Sequence, residues 1–331
     1  MITDMHCHFV PEDYFRLVQS SPTFAVRELE RRGEMIDVDV RGTRFVLNET
    51  FFDPARQIAR MDRLGIDRTV VSLATPLINY FSDPSPAIEA ARACNDGFAR
   101  LVRTSPERFA AWAFLPMQAP DAAAAELARC VREHGFVGGH VATNVKGAYL
   151  DDPRFEPIFA AAEALDVPLF IHPADPAGKD RTAAFELTTI AGYLFDTSIN
   201  VFKMICSGLL DRYPRVKLVC AHTGGYALLL RGRMQCEVGK NPAIQRVLQR
   251  PIGEYLDRLW YDTAGFEEGY IAFAATVIPP EHLLFGTDAP FLLVLPDPVE
   301  FVRRALPAPQ AEAALGSNFA RLTERNGSTN R

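Results

Sequence analysis

Short apolar runs alternate with longer amphipathic segments along most of this chain. Eight of the apolar runs have the length of a β-strand, and most are bounded by glycine, proline or a charged residue. These eight runs begin at Ile2, Arg68, Phe109, Val137, Pro168, Lys217, Leu259 and His282. Helical spacing occurs between them at 53–65, 120–135, 155–165 and 197–213. Eight strands that alternate with helices predict an α/β fold, the (β/α)8 TIM barrel.

An open, doubly wound sheet is the main alternative fold for this pattern. Such a sheet usually carries a glycine-rich phosphate-binding loop after its first strand. Here the first apolar run is followed by Val10-Pro11-Glu12-Asp13, which contains no glycine. The absence of a glycine-rich loop favours the barrel. The length of 331 residues suits a single domain over 1–331.

The segment between the first strand and the helix at Asp53 is longer than a plain barrel needs. Residues 38–47 predict a small β-structure with a turn at Arg41-Gly42, and we interpret 20–52 as an insertion. Because the insertion follows the first strand, it would lie above the carboxyl ends of the strands, where barrel enzymes have their active sites. A lid that contacts substrate and an ordinary surface hairpin both fit this pattern.

The composition indicates an ordinary globular protein. Hydrophobic residues make up 48% and charged residues 23%, which excludes a disordered chain. A net charge of -6 provides no basic field for nucleic acid. We expect neither a secretory signal nor a membrane partner, because no long apolar run is present. The 6 cysteines show no Cys-x-x-Cys spacing, which favours a reducing cytoplasm.

Histidine and aspartate residues close four of the predicted barrel strands. His6 and His8 are two residues apart on the first strand and therefore face the same way. His172 closes the fifth strand, His222 the sixth and Asp288 the eighth. Because histidine or aspartate occurs at four strand ends, we predict a metal site there. A set of hydrogen-bonded core histidines is the less favoured interpretation.

Imidazole nitrogens and one carboxylate suit a borderline divalent cation such as zinc, with manganese as the alternative. With His6, His8, His172 and Asp288 as ligands, one position would remain for a water, whose pKa the metal would lower towards about 7. His222 would then be available as a general acid or base. The other histidines, His134, His140 and His282, lie at a helix end, within a strand and at a strand start, where structural roles are expected.

The chain resembles the amidohydrolase superfamily. More narrowly, it is similar to the branch that contains aminocarboxymuconate semialdehyde decarboxylase and related non-oxidative decarboxylases. The resemblance runs from Asp4 nearly to Asn318. It is carried by DMHCHF at 4–9, Asp53-Pro54, Met61-Asp62, LPMQAP at 115–120, His172-Pro173, Asp196-Thr197, HTGG at 222–225 and GTDAPF at 286–291.

The resemblance implies zinc bound by His6, His8, His172 and Asp288, with His222 as the catalytic base. It also implies a homodimer in which Arg233 reaches the substrate carboxylate across the subunit interface, and it places Phe185 and Arg44 beside the substrate.

This chain departs from the family pattern at several pocket positions. Ala174 stands where the family has an aromatic residue, and the order Arg44-Phe45 shifts the arginine of the insertion by one position. On a strand, such a shift turns a side chain to the opposite face. No lysine ends the fourth strand to bridge two metals, and Lys146 in the following loop is interpreted as a solvated charge, so one ion is expected per chain.

Two enzymatic hypotheses from different reaction classes follow, because a fold and a metal site do not decide the reaction. The first is a metal-dependent decarboxylase, a carbon–carbon lyase acting on a small unsaturated or aromatic carboxylic acid. The second is a hydrolase or hydratase acting on a lactone, an amide or a ring-cleavage product. A metal-bearing binding protein without turnover is a third hypothesis, which the presence of both His222 and Asp288 disfavours.

Overall fold

The computed structural model describes residues 1–293 and 295–325, and a parallel barrel lies at its centre. The strands in chain order are β1 (Thr3–Phe9), β2 (Val26–Arg32), β3 (Met35–Val40), β4 (Thr43–Asn48), β5 (Arg68–Leu73), β6 (Phe109–Phe114), β7 (Gly138–Ala142), β8 (Asn144–Val145), β9 (Ala148–Tyr149), β10 (Leu169–His172), β11 (Leu218–Cys220), β12 (Trp260–Asp262) and β13 (Leu283–Leu284). The last residues of the predicted domain, 326–331, lie outside the described part of the chain.

The barrel sheet has the order β1-β5-β6-β7-β10-β11-β12-β13, and each pair of neighbours in that order is parallel. Hydrogen bonds then join its two edges. The amide of Met5 donates to the carbonyl of Phe285 at 2.9 Å, and the amide of His8 donates to the carbonyl of Ala289 at 2.7 Å. All eight predicted strands and the (β/α)8 barrel are therefore confirmed, and the open-sheet alternative is wrong.

Helices connect the barrel strands and cover their outer face. In chain order they are α1 (Glu12–Ser20), α2 (Pro54–Leu64), α3 (Pro84–Thr104), α4 (Pro120–Glu133), α5 (Glu156–Leu165), α6 (Lys179–Thr182), α7 (Tyr193–Cys206), α8 (Leu209–Arg212), α9 (Arg231–Val238), α10 (Pro242–Gln245), α11 (Ile252–Asp257), α12 (Glu268–Val277), α13 (Pro298–Ala305), α14 (Ala308–Glu312) and α15 (Asn318–Thr323). Within residues 1–293 and 295–325, no helix is both long enough and apolar enough to cross a membrane.

Local sequence signals account for where α2 begins and ends. The Asp53 side chain accepts a hydrogen bond from the amide of Ala55 at 2.8 Å, and Pro54 occupies the first turn. Gly65 ends the helix in the left-handed region with φ 67°.

The helix predicted over 197–213 is wrong in its bounds. The structure has two helices there: α7 begins at Tyr193 and ends at Cys206, and α8 begins at Leu209. Gly208 between them has φ 74°, a backbone conformation that interrupts a right-handed helix and that glycine adopts without strain.

The insertion contains an antiparallel sheet of β2, β3 and β4. The predicted turn at Arg41-Gly42 joins β3 to β4, and both residues have positive φ, 53° and 79°. The Asn48 side chain donates to the carbonyl of Pro290 at 2.7 Å, and the Arg41 guanidinium stacks on the ring of Phe81. The insertion therefore lies against loops that follow β13 and β5, at the carboxyl ends of the barrel strands.

The barrel interior is apolar in one half and polar in the other. Met5, Trp112 and Phe170 belong to a buried apolar cluster, and the Trp112 indole donates to the carbonyl of Met5 at 2.9 Å. Phe319 of α15 packs edge-on against Trp112 with the ring centroids 6.2 Å apart. The ring of Phe170 contacts His6 at 4.9 Å between centroids, so the polar half of the interior begins directly at the histidines.

Candidate metal centre

Five side chains converge where barrel strands end at their carboxyl ends. His6 and His8 lie on β1, His172 is the last residue of β10, His222 follows β11 and Asp288 follows β13. All five residues are buried. Parallel strands in a closed barrel present their carboxyl ends at one face, which is why residues this far apart in sequence meet.

The distances between these side chains are short and centre on Asp288. Its Oδ1 lies 3.1 Å from Nε2 of His6, 2.9 Å from Nε2 of His8 and 3.9 Å from Nε2 of His172. Its other oxygen, Oδ2, lies 3.3 Å from Nε2 of His222. Ligand atoms of His6, His172, His222 and Asp288 all lie within 4.8 Å of one another. Three imidazoles thus surround one carboxylate oxygen, while the fourth faces the second oxygen.

The Nδ1 atom of His6 donates to Oδ2 of Asp262 at 2.6 Å. This hydrogen bond places a ring hydrogen on Nδ1 and directs Nε2 at the cluster. A carboxylate behind a histidine is the usual outer partner of a metal-binding imidazole, because it fixes the tautomer and raises the basicity of the ring.

The rings of His8 and His172 are oriented by backbone carbonyls. Nδ1 of His8 lies 3.3 Å from the carbonyl oxygen of Leu73, and Nδ1 of His172 lies 2.9 Å from that of Pro173. Only a ring N–H can donate to a carbonyl, so Nε2 is the lone-pair nitrogen in both rings. His172 Nε2 has no hydrogen-bond partner among the described residues.

These observations fit a divalent cation. Nε2 of His6 and Nε2 of His8 are 3.2 Å apart. Two ligands at about 2.0–2.1 Å from one tetrahedral ion would lie roughly 3.3 Å apart. A cation would also satisfy the buried lone pair of His172, which otherwise costs free energy.

Two buried carboxylates make the centre electronegative. Burial favours the neutral form of Asp288, but the surrounding histidines, His6 first, outweigh it and hold its pKa well below the usual value. Burial likewise opposes protonation of His6, yet the charges of Asp288 and Asp262 raise its pKa to about 10. Burial lowers the pKa of His172 to about 3. The negative potential that draws a proton onto His6 equally attracts a cation.

Asp262 is a candidate positioning residue that the sequence analysis missed. Besides His6, it accepts a hydrogen bond from the amide of Thr223 at 2.9 Å, and its carbonyl accepts from the Thr223 hydroxyl at 3.0 Å. Asp262 thus positions both a candidate ligand and the turn that carries His222. The available signal was its place at the end of the seventh barrel strand, matching the other four strand ends.

The backbone at His222 is held in an unfavourable conformation. His222 and Thr223 have φ of 54° and 55°, in the left-handed region. The neighbouring glycines are required by close contacts, since a Cβ on Gly225 would lie 2.1 Å from the carbonyl oxygen of Leu194. Nδ1 of His222 has no hydrogen-bond partner within the described segments, unlike Nδ1 of the three other histidines. Such strain persists where the surrounding structure overrides it, often at functional sites.

Asp288 is similarly strained, with φ 58°. The preceding Thr287 is anchored by Asp4, whose carboxylate accepts from the Thr287 amide at 3.0 Å and from its hydroxyl at 2.6 Å. Asp4 also pairs with the partly buried Arg60 at 3.3 Å.

The three residues expected at the substrate lie away from the histidines. Arg233 is on α9, exposed, and lines an outer groove of about 640 Å³. Phe185 is 88% exposed in the loop after β10. Arg44 on β4 pairs with the carboxylate of Asp37 on β3. Of the histidines expected to be structural, His134 follows α4, His140 stacks on the ring of Phe170 and His282 stacks on that of Trp260.

A closed barrel with imidazoles and a carboxylate at its carboxyl ends defines the class of metal-dependent barrel enzymes. Within that class, the chain belongs to the amidohydrolase family, whose model matches residues 3–322.

Several proteins of known activity are similar to this chain. 2-Amino-3-carboxymuconate-6-semialdehyde decarboxylase of Dictyostelium discoideum is 30% identical over 303 residues, which cover 88% of this chain and 82% of that protein. Gamma-resorcylate decarboxylase of Polaromonas sp. is 32% identical over 251 residues, covering 71% and 76%. A 2-keto-4-carboxy-3-hexenedioate hydratase of Sphingobium sp. is 28% identical over 304 residues, covering 87% and 83%. The resemblance to the decarboxylase branch is confirmed.

Solved structures give the same result. The 5-carboxyvanillate decarboxylase of Sphingomonas paucimobilis superposes with a TM-score of 0.84 at 25% identity, covering 97% of this chain and 98% of that one. The dihydroxybenzoic acid decarboxylase of Polaromonas sp., with bound manganese and 2-nitroresorcinol, has a TM-score of 0.78 at 25% identity and covers 97% and 96%. The bound manganese in that neighbour and the His/Asp cluster support a divalent metal here.

Proposed function

We propose that this protein is a metal-dependent, non-oxidative decarboxylase of a small aromatic or unsaturated carboxylic acid. The proposal depends on how the four imidazoles are arranged around the Asp288 carboxylate. Three of them lie near Oδ1, and His222 lies 3.3 Å from Oδ2. The decarboxylases among the similar proteins support this reaction class.

In this proposal, His6, His8, His172 and Asp288 hold one ion per chain. Three imidazole nitrogens and a carboxylate favour zinc, while manganese in the Polaromonas structure is the alternative. Such an ion, when bound, polarises a coordinated oxygen and neutralises negative charge on an acidic substrate.

His222 is proposed as the proton-transfer residue. Its Nε2 lies 3.3 Å from Oδ2 of Asp288, and its Nδ1 has no hydrogen-bond partner among the described residues. His222 would deliver a proton to the carbon that bears the carboxylate. The bond between that carbon and the carboxylate then breaks, its electron pair restores the unsaturation, and CO2 leaves. One proton is consumed for each CO2 released.

The experiment that tests the reaction class measures products from a panel of carboxymuconates, hydroxybenzoates and lactones. We expect CO2 release from at least one acid. Hydration of a ring-cleavage acid or hydrolysis of a lactone, without CO2 release, would contradict the decarboxylase proposal. The protein would then be a hydratase or hydrolase, the second candidate, which the similarity to the Sphingobium hydratase supports.

We also propose a homodimer in which Arg233 enters the neighbouring subunit's site. Arg233 is exposed, has no ion pair among the described residues and lines a groove with Leu230 and Met234. The nearby Leu229 is 57% exposed, as expected of a surface that a second copy covers.

Phe185 and Arg44 are proposed to contact the substrate as it approaches, since both lie at the surface on the carboxyl side of the barrel. We further propose that the insertion over 20–52 acts as a lid. A cytoplasmic location is proposed because all six cysteines are unpaired.

A further inference from the structure

A second cavity of about 240 Å³ lies at the carboxyl ends of the strands, beside the metal centre. Three loops, which follow β5, β7 and β10, and the tip of the insertion form it. The lining residues used below are Arg41, Tyr80, Phe81, Lys146, Ala174 and Asp175. Because Ala174 is two residues beyond His172, the cavity begins at most about 7 Å along the chain from a candidate ligand.

Two cations at this cavity are not neutralised. Arg41 and Lys146 have no ion pair and no side-chain hydrogen bond within the described part of the chain. The Arg41 guanidinium lies 4.1 Å from the ring centroid of Phe81, a contact that holds the charge in place without cancelling it.

One carboxylate also lines the cavity, but its charge is compensated. Oδ1 of Asp175 accepts a hydrogen bond from the ammonium of Lys179 at 3.1 Å. The cavity therefore retains the positive charge of Arg41 and Lys146.

Tyr80 supplies an unused hydrogen-bond donor. The residue is 5% exposed, and its ring stacks on Phe114 with the centroids 6.0 Å apart. Burial raises the pKa of its hydroxyl, which lies near the backbone of Ala142, the residue in register with His172 on the adjacent strand. The hydroxyl makes no well-formed hydrogen bond to any described residue. A buried O–H without a partner is costly, so a ligand oxygen would be favoured there.

We propose that this cavity binds a second anionic group of the substrate, so that the protein acts on a dicarboxylic acid. One carboxylate would lie at the metal centre and the other between Arg41 and Lys146, with Tyr80 as a further donor. This inference rests on the proposed function and narrows its substrate class.

The test compares two unreactive probes on the metal-loaded protein by titration calorimetry: benzene-1,3-dicarboxylate and benzoate. We expect the dicarboxylate to bind at least about ten-fold more tightly, since one charge-assisted contact is typically worth that factor. Lys146→Gln and Arg41→Gln should each weaken dicarboxylate binding about ten-fold and change benzoate binding less than about two-fold. Lys146→Arg, which keeps the charge, should restore most of the affinity.

Lys203→Gln is the matched control, because Lys203 pairs with Asp151 at 3.1 Å on α7 and does not line the cavity. It should leave both affinities unchanged. The inference is overturned if the dicarboxylate binds no more tightly than benzoate, or if Lys146→Gln and Arg41→Gln leave the preference intact.

The binding assay needs no turnover, so the two proposals can fail separately. If no acid is decarboxylated while the dicarboxylate preference depends on Lys146, the proposed reaction is wrong and the anion site stands. If CO2 is released from monocarboxylic acids and the preference is absent, the reaction stands and the anion site is wrong.

Discussion

At the scale of single residues, the centre depends on partners that lie behind the candidate ligands. His6 and Asp262 are 256 positions apart, yet their side chains form a 2.6 Å hydrogen bond with both groups fully buried. His8 and His172 use backbone carbonyls for the same purpose. In each case the outer contact, and not the residue type alone, directs Nε2 into the cluster.

Asp262→Asn should weaken metal binding by about 10–100-fold, the usual effect of losing the outer carboxylate of a metal-binding histidine. The amide keeps the side-chain size but removes the charge that raises the basicity of His6. Competition with a chelator of known affinity measures the change. Asp257→Asn, which alters a partly exposed ion pair with Arg231, is the control and should retain the metal. Unchanged affinity in Asp262→Asn would show that Asp262 serves only the fold.

His222→Ala should lower turnover by about 10²-fold or more, the scale of a lost general acid–base group. Metal content should stay near that of the unaltered protein, because the other four side chains remain. Both quantities are measured on the same preparation, by CO2 release and by elemental analysis. Loss of the metal in this variant would instead make His222 a ligand.

At the scale of elements, the turn after β11 places His222 by backbone strain. Residues 222–225 all have positive φ, and the turn packs against the carbonyl of Leu194 and the ring of Tyr261. The two glycines of the HTGG sequence are therefore required because a larger side chain would clash there, in addition to the chemical role proposed for His222.

Gly225→Ala should destabilise the fold by about 2–4 kcal/mol, the range for steric clashes and backbone strain in a buried site. The added Cβ would lie 2.1 Å from the Leu194 carbonyl oxygen at a φ of 63°. Gly232→Ala in α9 is the control: nothing lies within 4 Å of its Cβ, so it should stabilise by up to about 1 kcal/mol. Urea unfolding measures both variants, and equal stability would contradict the assigned strain.

The insertion shows why a short motif is not enough to place a side chain. Reversal of the Arg44-Phe45 order predicts a change of face for the arginine, and the structure has Arg44 paired with Asp37 across the exposed sheet. Arg41, three residues earlier in the turn, lies at the cavity instead.

At the scale of the whole molecule, the candidate metal centre contains residues that lie on or just after β1, β10, β11 and β13. It therefore connects strands from different parts of the barrel. Removal of the ion should therefore lower the melting temperature by several degrees, since a ligand that binds only the folded state stabilises it. Elemental analysis should find about one divalent ion per chain. Protein without a transition metal, and with activity insensitive to chelators, would contradict the site.

Mixed dimers test whether Arg233 acts across an interface. Neither His222→Ala nor Arg233→Ala alone should be active at full rate. If Arg233 acts in the neighbouring subunit, a dimer of one variant with the other contains one site with both residues intact, and activity should return. Absence of recovery after proven subunit exchange would place Arg233 within its own chain or outside the reaction.

The sequence by itself determined the barrel and its candidate ligands. Strand positions follow from short apolar runs, and the alternation of side chains along a strand puts His6 and His8 on one face. His8, His172 and Asp288 lie near or just beyond the carboxyl end of a strand, and the geometry of a parallel barrel then brings those ends together. These are local patterns combined with one general rule, so they can be recognised without coordinates.

Only the tertiary structure decided which distant groups touch. The bond between Asp262 and His6, the place of Arg233 in an outer groove, and the cavity shared by Arg41, Tyr80 and Lys146 depend on how separate loops meet above the strands. The sequence predicts the turn at Arg41-Gly42, but packing between segments far apart in the chain decides which loops that turn contacts.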